Sequence, residues 1–64
     1  MSEQIIEKIN NIKTFKFDTK TNKILNLNQG EETDVENFLY IQNILDNGKI
    51  RYKFEKNFEI KILR

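Results

Sequence analysis

The side chains best suited to chemistry in this chain are four carboxylates that lie close together. They are Glu31, Glu32, Asp34 and Glu36. Clustered carboxylates can bind a divalent cation, but a calcium-binding loop needs acidic and amide residues at alternate positions around a central glycine, and this spacing does not match. We therefore predict no metal site. We interpret Glu31, Glu32 and Asp34 as part of a solvated acidic loop that contacts a protein partner.

Nucleophilic catalysis lacks its usual residues in this sequence. There is no histidine and no cysteine, which removes the commonest general base, the thiolate nucleophile and the commonest metal ligands. The two glycines, Gly30 and Gly48, are too far apart to form a phosphate-binding loop. The sequence therefore predicts a protein that is not an enzyme and that carries no cofactor.

Charge is unevenly distributed along the chain. The net charge is only +1, yet residues 1–28 carry +2, residues 29–46 carry −5 and residues 47–64 carry +4. Such a separation can steer an oppositely charged partner toward one part of the surface.

The length and the composition limit the size and setting of the protein. Sixty-four residues suffice for one hydrophobic core and not for two, so 1–64 is predicted to be a single domain. Secreted domains of this size are usually cross-linked by disulfides, so a chain without cysteine is expected in the cytoplasm. The first residues contain no apolar stretch that suits a signal peptide or a membrane span, so no membrane partner is predicted. The small size and the abundance of Ile, Lys and Asn fit a phage or mobile-element protein.

The first half of the chain predicts a helix and then a hairpin. Residues 3–13 have isoleucines at spacings of four and three, which predicts a helix with Ser2 as its N-cap. From residue 14 the apolar period is two, which indicates strands. A three-residue loop at 20–22 places Asn22 in the left-handed conformation that asparagine tolerates. In that register the facing pairs are Phe17 with Leu25 and Phe15 with Leu27.

Residues 34–46 permit two interpretations. As a strand, they pair with residues 49–55 across a type I′ turn at Asn47 and Gly48, the strongest local turn signal in the sequence. As a helix, they begin at a capping box, Thr33 to Glu36, and end at the same glycine. We favour the strand, because apolar residues cover more than half of the helical circumference and because aromatic and β-branched residues favour sheets.

A last turn at residues 55–57 completes a meander over residues 37–63. It sets three pairs on the core face: Phe58 with Phe54, Ile60 with Tyr52, and Ile62 with Ile50. The predicted fold is therefore α+β, with an N-terminal helix packed on a five-stranded antiparallel sheet built from the first hairpin and the three-stranded meander, whose first two strands form the second hairpin. The sheet either stays open or curls into a small barrel.

The opposite face of the meander is the predicted contact surface. Its residues are Tyr40, Gln42, Ile44, Arg51, Lys53 and Lys61. In this register Arg51 and Lys61 are neighbours, and their like charges favour an acidic or anionic partner. The simpler alternative is that the helix covers part of this face or that these are ordinary solvated positions.

These patterns predict a small non-enzymatic protein-binding module. It would act as a regulator, an inhibitor or an accessory subunit, and would bind a protein partner or a second copy of itself. The alternative is a nucleic-acid-binding protein whose basic C-terminal hairpin contacts phosphates through Arg51, Lys53, Lys56 and Lys61. A net charge of +1 argues against this alternative.

Overall fold

Two helices pack on one face of a four-stranded antiparallel sheet in the computed structural model, which describes residues 1–28 and 32–63. The elements are α1 (Glu3–Asn10), β1 (Phe15–Asp18), β2 (Lys23–Asn26), α2 (Val35–Asn47), β3 (Tyr52–Glu55) and β4 (Glu59–Ile62), with a 3₁₀ turn at Lys56–Phe58. The strand order is β1-β2-β4-β3. The α+β class and the antiparallel pairing are confirmed, but the prediction of five strands and of possible closure into a barrel is wrong, because the sheet is open and β1 and β3 are its two edges.

The N-terminal helix begins where the sequence predicts. The Ser2 side chain accepts a hydrogen bond from the Ile5 N–H at 3.3 Å, as an N-cap does. The helix ends at Asn10, earlier than predicted, and its Ile9 is fully buried. The side chain of Asn10 then accepts a hydrogen bond from the Phe17 N–H at 2.9 Å, which ties α1 to β1.

The first hairpin forms with a register one residue away from the predicted one. Phe17 pairs with Ile24 and Phe15 pairs with Asn26. Asn22 is left-handed as predicted, with φ 60°, but the loop is longer because the Asp18 carboxylate accepts hydrogen bonds from the residues that follow it. A shift of one residue exchanges the two faces of a strand. Ile24 therefore enters the core in place of the predicted Leu25.

Residues 35–47 are a helix, so the favoured strand interpretation is wrong and the helical alternative is confirmed, although its N-cap is Asp34 and not the predicted Thr33. The Asp34 side chain accepts a hydrogen bond from the Asn37 N–H at 3.2 Å and caps the helix. Phe38, Ile41 and Leu45, at spacings of three and four, form its buried stripe. The apolar pattern is broad because other apolar side chains of α2 face the solvent.

Asn47 and Gly48 end α2 and do not form a hairpin turn. The Ile50 N–H donates to the Leu45 carbonyl and the Lys49 N–H donates to the Asp46 carbonyl, at 3.0 and 3.1 Å. This is a Schellman motif in which Lys49, with φ 55°, takes the left-handed position usually held by glycine. Gly48 has φ −83°, a conformation open to any residue, and a Cβ there would lie 2.9 Å from the flexible Cδ1 end of Ile5 on α1.

The second hairpin, β3–β4, has a register two residues away from the predicted one. Tyr52 pairs with Ile62, and Phe54 pairs with Ile60. A shift of two keeps every side chain on its predicted face, so these four residues still face the helices. Phe58 is displaced from the strand into the turn, where it has φ 59°.

The core lies between the helices and one face of the sheet. Its buried apolar residues are Ile9, Phe15, Phe17, Ile24, Phe38, Ile41, Leu45, Ile60 and Ile62. The other face of the sheet carries the alternate strand residues and has no helix of the described chain on it. Neither helix is long and apolar enough to cross a membrane, within the residues described.

Candidate functional site

Four phenylalanines meet beneath the N-terminal half of α2, and two of them come from the opposite edge strands β1 and β3. We call Phe15, Phe38, Phe54 and Phe58 the phenylalanine cluster. Phe38 lies at its centre, with ring centroids 6.2 Å from Phe15, 5.5 Å from Phe54 and 5.2 Å from Phe58. The Phe58 contact is edge-to-face, a favourable geometry for aromatic rings. The Phe38 ring therefore contacts the core residue Phe15 on one side and the outer rings of Phe54 and Phe58 on the other.

The two outer rings of the cluster remain accessible. Phe54 is 53% exposed and Phe58 is 44% exposed, whereas Phe15 and Phe38 are buried. Together with Glu55 and Asn57, the outer rings and Phe38 line a depression of about 340 Å³. Large apolar side chains that stay exposed together mark a candidate contact surface.

The backbone that presents Phe58 is strained. A bulky residue at φ 59° is a conformational outlier, because its Cβ approaches the following carbonyl oxygen. The turn is held from below by Asn26, a buried polar residue whose side-chain amide donates to the Asn57 carbonyl at 2.9 Å. Strain of this kind persists where the surrounding structure enforces it, and it is often found at functional positions.

The two edges of the sheet differ in how the chain protects them. At β1 the outward N–H groups of Phe15 and Phe17 donate to the Ile12 carbonyl and the Asn10 side chain. At β3 the Leu63 N–H donates to the Arg51 carbonyl, so the main-chain groups of Arg51 point toward β4. Because these groups alternate in direction along an antiparallel strand, those of residues 53 and 55 also point toward β4, whereas those of residues 52 and 54 point outward.

No helix or loop within the described ranges hydrogen-bonds to the outward main-chain groups of Tyr52 and Phe54. We call this line of groups the β3 edge. Unprotected edges of this kind pair readily with another strand. The β3 edge and the exposed rings of the phenylalanine cluster lie side by side, since Phe54 belongs to both.

The face of the sheet opposite the helices, which we call the open face, carries a row of like charges. Lys23 pairs with Lys61, and Lys61 pairs with Lys53, across three adjacent strands. We call these three residues the lysine row. Glu55 lies 3.5 Å from the Lys23 ammonium and offsets part of the repulsion. The remaining like-charge contacts are unfavourable in the isolated chain.

Two of the predicted partner-binding residues are brought together on this face. Lys53 and Lys61 are direct cross-strand neighbours. The sequence predicted Lys61 beside Arg51, but the observed register places Arg51 directly before β3, opposite Leu63. The predicted like-charge contact therefore exists with Lys53 in place of Arg51.

Three other predicted residues lie in the helical layer, away from Lys53 and Lys61. Tyr40 and Ile44 are on α2 and line a second depression, of about 350 Å³, together with Ile5 and Lys8 of α1. Gln42 is half-buried near Tyr52. The Tyr52 hydroxyl donates to the Asp46 carboxylate at 2.7 Å, and this bond, with partial burial, raises the pKa of Tyr52.

The predicted acidic loop is only partly described. Glu32 is exposed, and Glu31 lies outside the described residues. Asp34 has a structural role as the α2 cap. Hydrogen bonds from the Asn37 side chain, the Asn37 N–H and the Thr14 hydroxyl lower the pKa of Asp34. Among residues 1–28 and 32–63, no three acidic side chains lie together in a way that could hold a metal ion.

Sequence reasoning missed the accessible half of the phenylalanine cluster. Phe54 and Phe58 are typical core residues by type, and the predicted hairpin buried both of them. Their exposure follows from the position of β3 at the edge, which no local pattern encodes. The role of Asn26 was missed as well: the predicted register, which sets Leu25 and Leu27 opposite the phenylalanines, leaves Asn26 on the other face, whereas it is buried beneath the turn.

Comparison with known proteins adds no relative to this description. The chain matches no protein-family model, no curated protein and no solved structure.

Proposed function

We propose that this chain is a small non-enzymatic protein-binding module that binds its partner through the phenylalanine cluster and the β3 edge. One observation carries the proposal: the half-exposed rings of Phe54 and Phe58 lie beside a strand whose outward main-chain groups have no hydrogen-bond partner in the described chain. Strand addition to a sheet edge uses such a combination. Main-chain hydrogen bonds supply affinity, and pockets for side chains supply specificity.

The composition supports a role without catalysis. The chain contains neither histidine nor cysteine, and the hydrogen bonds of its perturbed carboxylates, Asp18 and Asp34, belong to a turn and to a helix cap. Action as a regulator, an inhibitor or an accessory subunit of a phage or mobile element fits the small size. A cytoplasmic setting is supported by the lack of disulfides in so short a chain.

Affinity enrichment from a lysate of the native host, with quantitative mass spectrometry, tests this proposal. The informative variant is Phe54→Thr, which removes an exposed ring but keeps a β-branched side chain suited to a strand. Its matched control is Tyr40→Ala. Tyr40 is 48% exposed, close to the exposure of Phe54, but it lies in the depression between the helices.

We expect the wild type and Tyr40→Ala to retain the same protein, and Phe54→Thr to lose most of it. Circular dichroism of each variant confirms that the fold is retained. Equal retention by all three proteins would exclude the phenylalanine cluster as the contact surface. Retention lost only in Tyr40→Ala would move the site to the helical layer.

Nucleic-acid binding is the second candidate, and the lysine row favours it. Lys23, Lys61 and Lys53 lie on adjacent strands of one open face, a geometry that can follow a phosphate backbone. Titration of labelled single-stranded and double-stranded oligonucleotides tests it, with Lys61→Glu as the variant. If the chain binds nucleic acid through the lysine row, its affinity for the oligonucleotides falls steeply as salt is added, and Lys61→Glu binds them more weakly than the wild type. Absence of binding, or binding indifferent to salt, excludes it.

A further inference from the structure

We infer that the partner at the β3 edge is a second copy of this chain, paired antiparallel with the first about a two-fold axis at Phe54. This inference rests on the proposed function and names its partner. The two four-stranded sheets would join into one continuous eight-stranded sheet. Three features of the chain support it: the direction of the main-chain groups, the order of charges along β3, and the apolar rings at the centre.

The main-chain groups permit only some registers. Because residues 52 and 54 point outward, an antiparallel copy must place one of these residues opposite residue 52 or 54 of the other copy. The two-fold axis therefore passes through Tyr52, Lys53 or Phe54. In the last case the two Phe54 residues exchange N–H to carbonyl hydrogen bonds with each other.

Charge then selects one of these registers. An axis at Tyr52 sets Lys53 opposite Arg51 of the second copy, and an axis at Lys53 sets the two Lys53 residues opposite each other. The first arrangement makes a repulsive pair twice. The second makes one repulsive pair of lysines, although it also sets Arg51 opposite Glu55 of the second copy. An axis at Phe54 sets Lys53 opposite Glu55 of the second copy, and the symmetry makes this attractive pair twice. Of the three, only the Phe54 register makes attractive pairs without setting like charges opposite each other.

The same register accounts for the like-charge pairs inside each chain. On the open face, Lys23, Lys61 and Lys53 lie in one row, and Glu55 pairs with Glu59 in a neighbouring row. Across the interface, the lysine row of one copy continues directly into Glu55 and Glu59 of the other. The like-charge contacts of the lysine row, which are unfavourable in the single chain, thus continue into the acidic side chains of the second copy.

The exposed rings supply the apolar part of the interface. Phe54 is 53% exposed on the helical side of β3, with Tyr52 and Phe38 against it. In the Phe54 register the two Phe54 rings are cross-strand neighbours, and aromatic pairs at such positions stabilise sheets. A four-residue strand offers a small interface, so the dimer is expected to dissociate on dilution.

A charge-swap experiment on the full chain tests the inference. The variants are Lys53→Glu and Glu55→Lys, studied alone, as an equimolar mixture, and together in one chain. Sedimentation equilibrium from about 1 µM to about 1 mM gives the dissociation constants, and native mass spectrometry identifies the mixed dimer. The wild type is expected to be a concentration-dependent dimer. Each single variant makes both cross-strand pairs repulsive, which weakens its dimer about tenfold or more.

The mixture carries the decisive result. A Lys53→Glu chain and a Glu55→Lys chain restore two attractive pairs, so the mixed dimer is expected to form with near wild-type affinity. The double variant is expected to dimerise with itself for the same reason. A role confined to the folding of one chain predicts no such recovery, and circular dichroism shows that each variant is folded.

Two results would overturn the inference. One is a wild type that stays monomeric at about 1 mM; the other is a mixture that dimerises no better than its components. Either result leaves the proposed function open to its own test, because capture of a different protein that is lost in Phe54→Thr would still support binding at the same edge.

Discussion

Phe58 offers a direct test of the strain attributed to the candidate site. Its ring packs against Phe38, but its backbone has φ 59°, a conformation that costs any residue with a Cβ. Substitution by alanine removes the whole ring and keeps the Cβ. Substitution by glycine removes both. The comparison of Phe58→Ala with Phe58→Gly therefore separates the contribution of the ring from the cost of the backbone.

The structure sets the expected size of each effect. Phe58 is 44% exposed, so a little over half of its surface is buried, and burial at about 25 cal/mol/Å² makes the ring worth about 2 kcal/mol. Left-handed backbone costs a residue with a Cβ about 1–2 kcal/mol, and the greater freedom of glycine in the unfolded chain offsets about 0.4–1 kcal/mol of that. Phe58→Ala is expected to lose about 2 kcal/mol of the free energy of unfolding. Phe58→Gly is expected to be more stable than Phe58→Ala by about 0.5–1 kcal/mol.

Urea unfolding followed by circular dichroism measures both values. A domain of this length has a free energy of unfolding of about 3–10 kcal/mol, so each variant should retain a folded baseline. The matched control is Leu27, which is 53% exposed and is not left-handed; there the alanine variant should be at least as stable as the glycine variant. If Phe58→Ala equals or exceeds Phe58→Gly in stability, the turn is not strained and that part of the argument for the site fails.

Three further effects follow from the same contacts. Lys49→Gly is expected to stabilise the chain by about 0.5–1 kcal/mol in urea unfolding, because Lys49 has φ 55° at the end of α2; Lys49→Ala, which removes the same charge but keeps a Cβ, should show no such gain. Lys61→Glu is expected to raise the free energy of unfolding by about 0.5–1 kcal/mol at low salt, because it turns two like-charge pairs of the lysine row into attractive pairs. A gain in stability that does not shrink in about 1 M salt would contradict this reason. Hydrogen bonds from Asn37 and Thr14 lower the pKa of Asp34 in the folded chain. The stabilising effect of the Asp34 carboxylate is therefore present above the unfolded pKa of about 3.9 and is lost as the pH falls through the folded pKa. The difference in free energy of unfolding between wild type and Asp34→Ala should narrow below about pH 4, and a difference that is constant with pH would refute this account.

The hairpins show which part of a register a sequence can predict. The alternation of Phe15, Phe17 and the residues after them identifies strands and not their alignment, because the alignment depends on loop length. In the first hairpin the Asp18 carboxylate lengthens the loop by one residue, and the face of β2 is exchanged. In the second hairpin the shift is two, and the predicted face survives.

Residues 35–47 show the limit of periodicity. Their apolar residues cover two sides of α2, because one side packs on the sheet while Leu39 and Tyr40 face outward. A broad apolar pattern is also typical of a strand, and the two interpretations share the signal at Gly48. The cap decides between them: Asp34 is held by Asn37 and by Thr14, a residue twenty positions away. That contact exists only in the folded chain, so sequence pattern alone could not weigh it.

The candidate site is a consequence of that one decision. In the predicted meander, residues 40–45 lie beside residues 50–55 and cover their outer edge. Because those residues form α2 instead, β3 has β4 on one side and no strand of the described chain on the other. The rings of Phe54 and Phe58, assigned to a closed core by their type, then lie at the boundary of the sheet. The alternation of Lys53, Phe54 and Glu55 was visible in the sequence throughout, but its self-complementarity has meaning only once β3 is an edge strand.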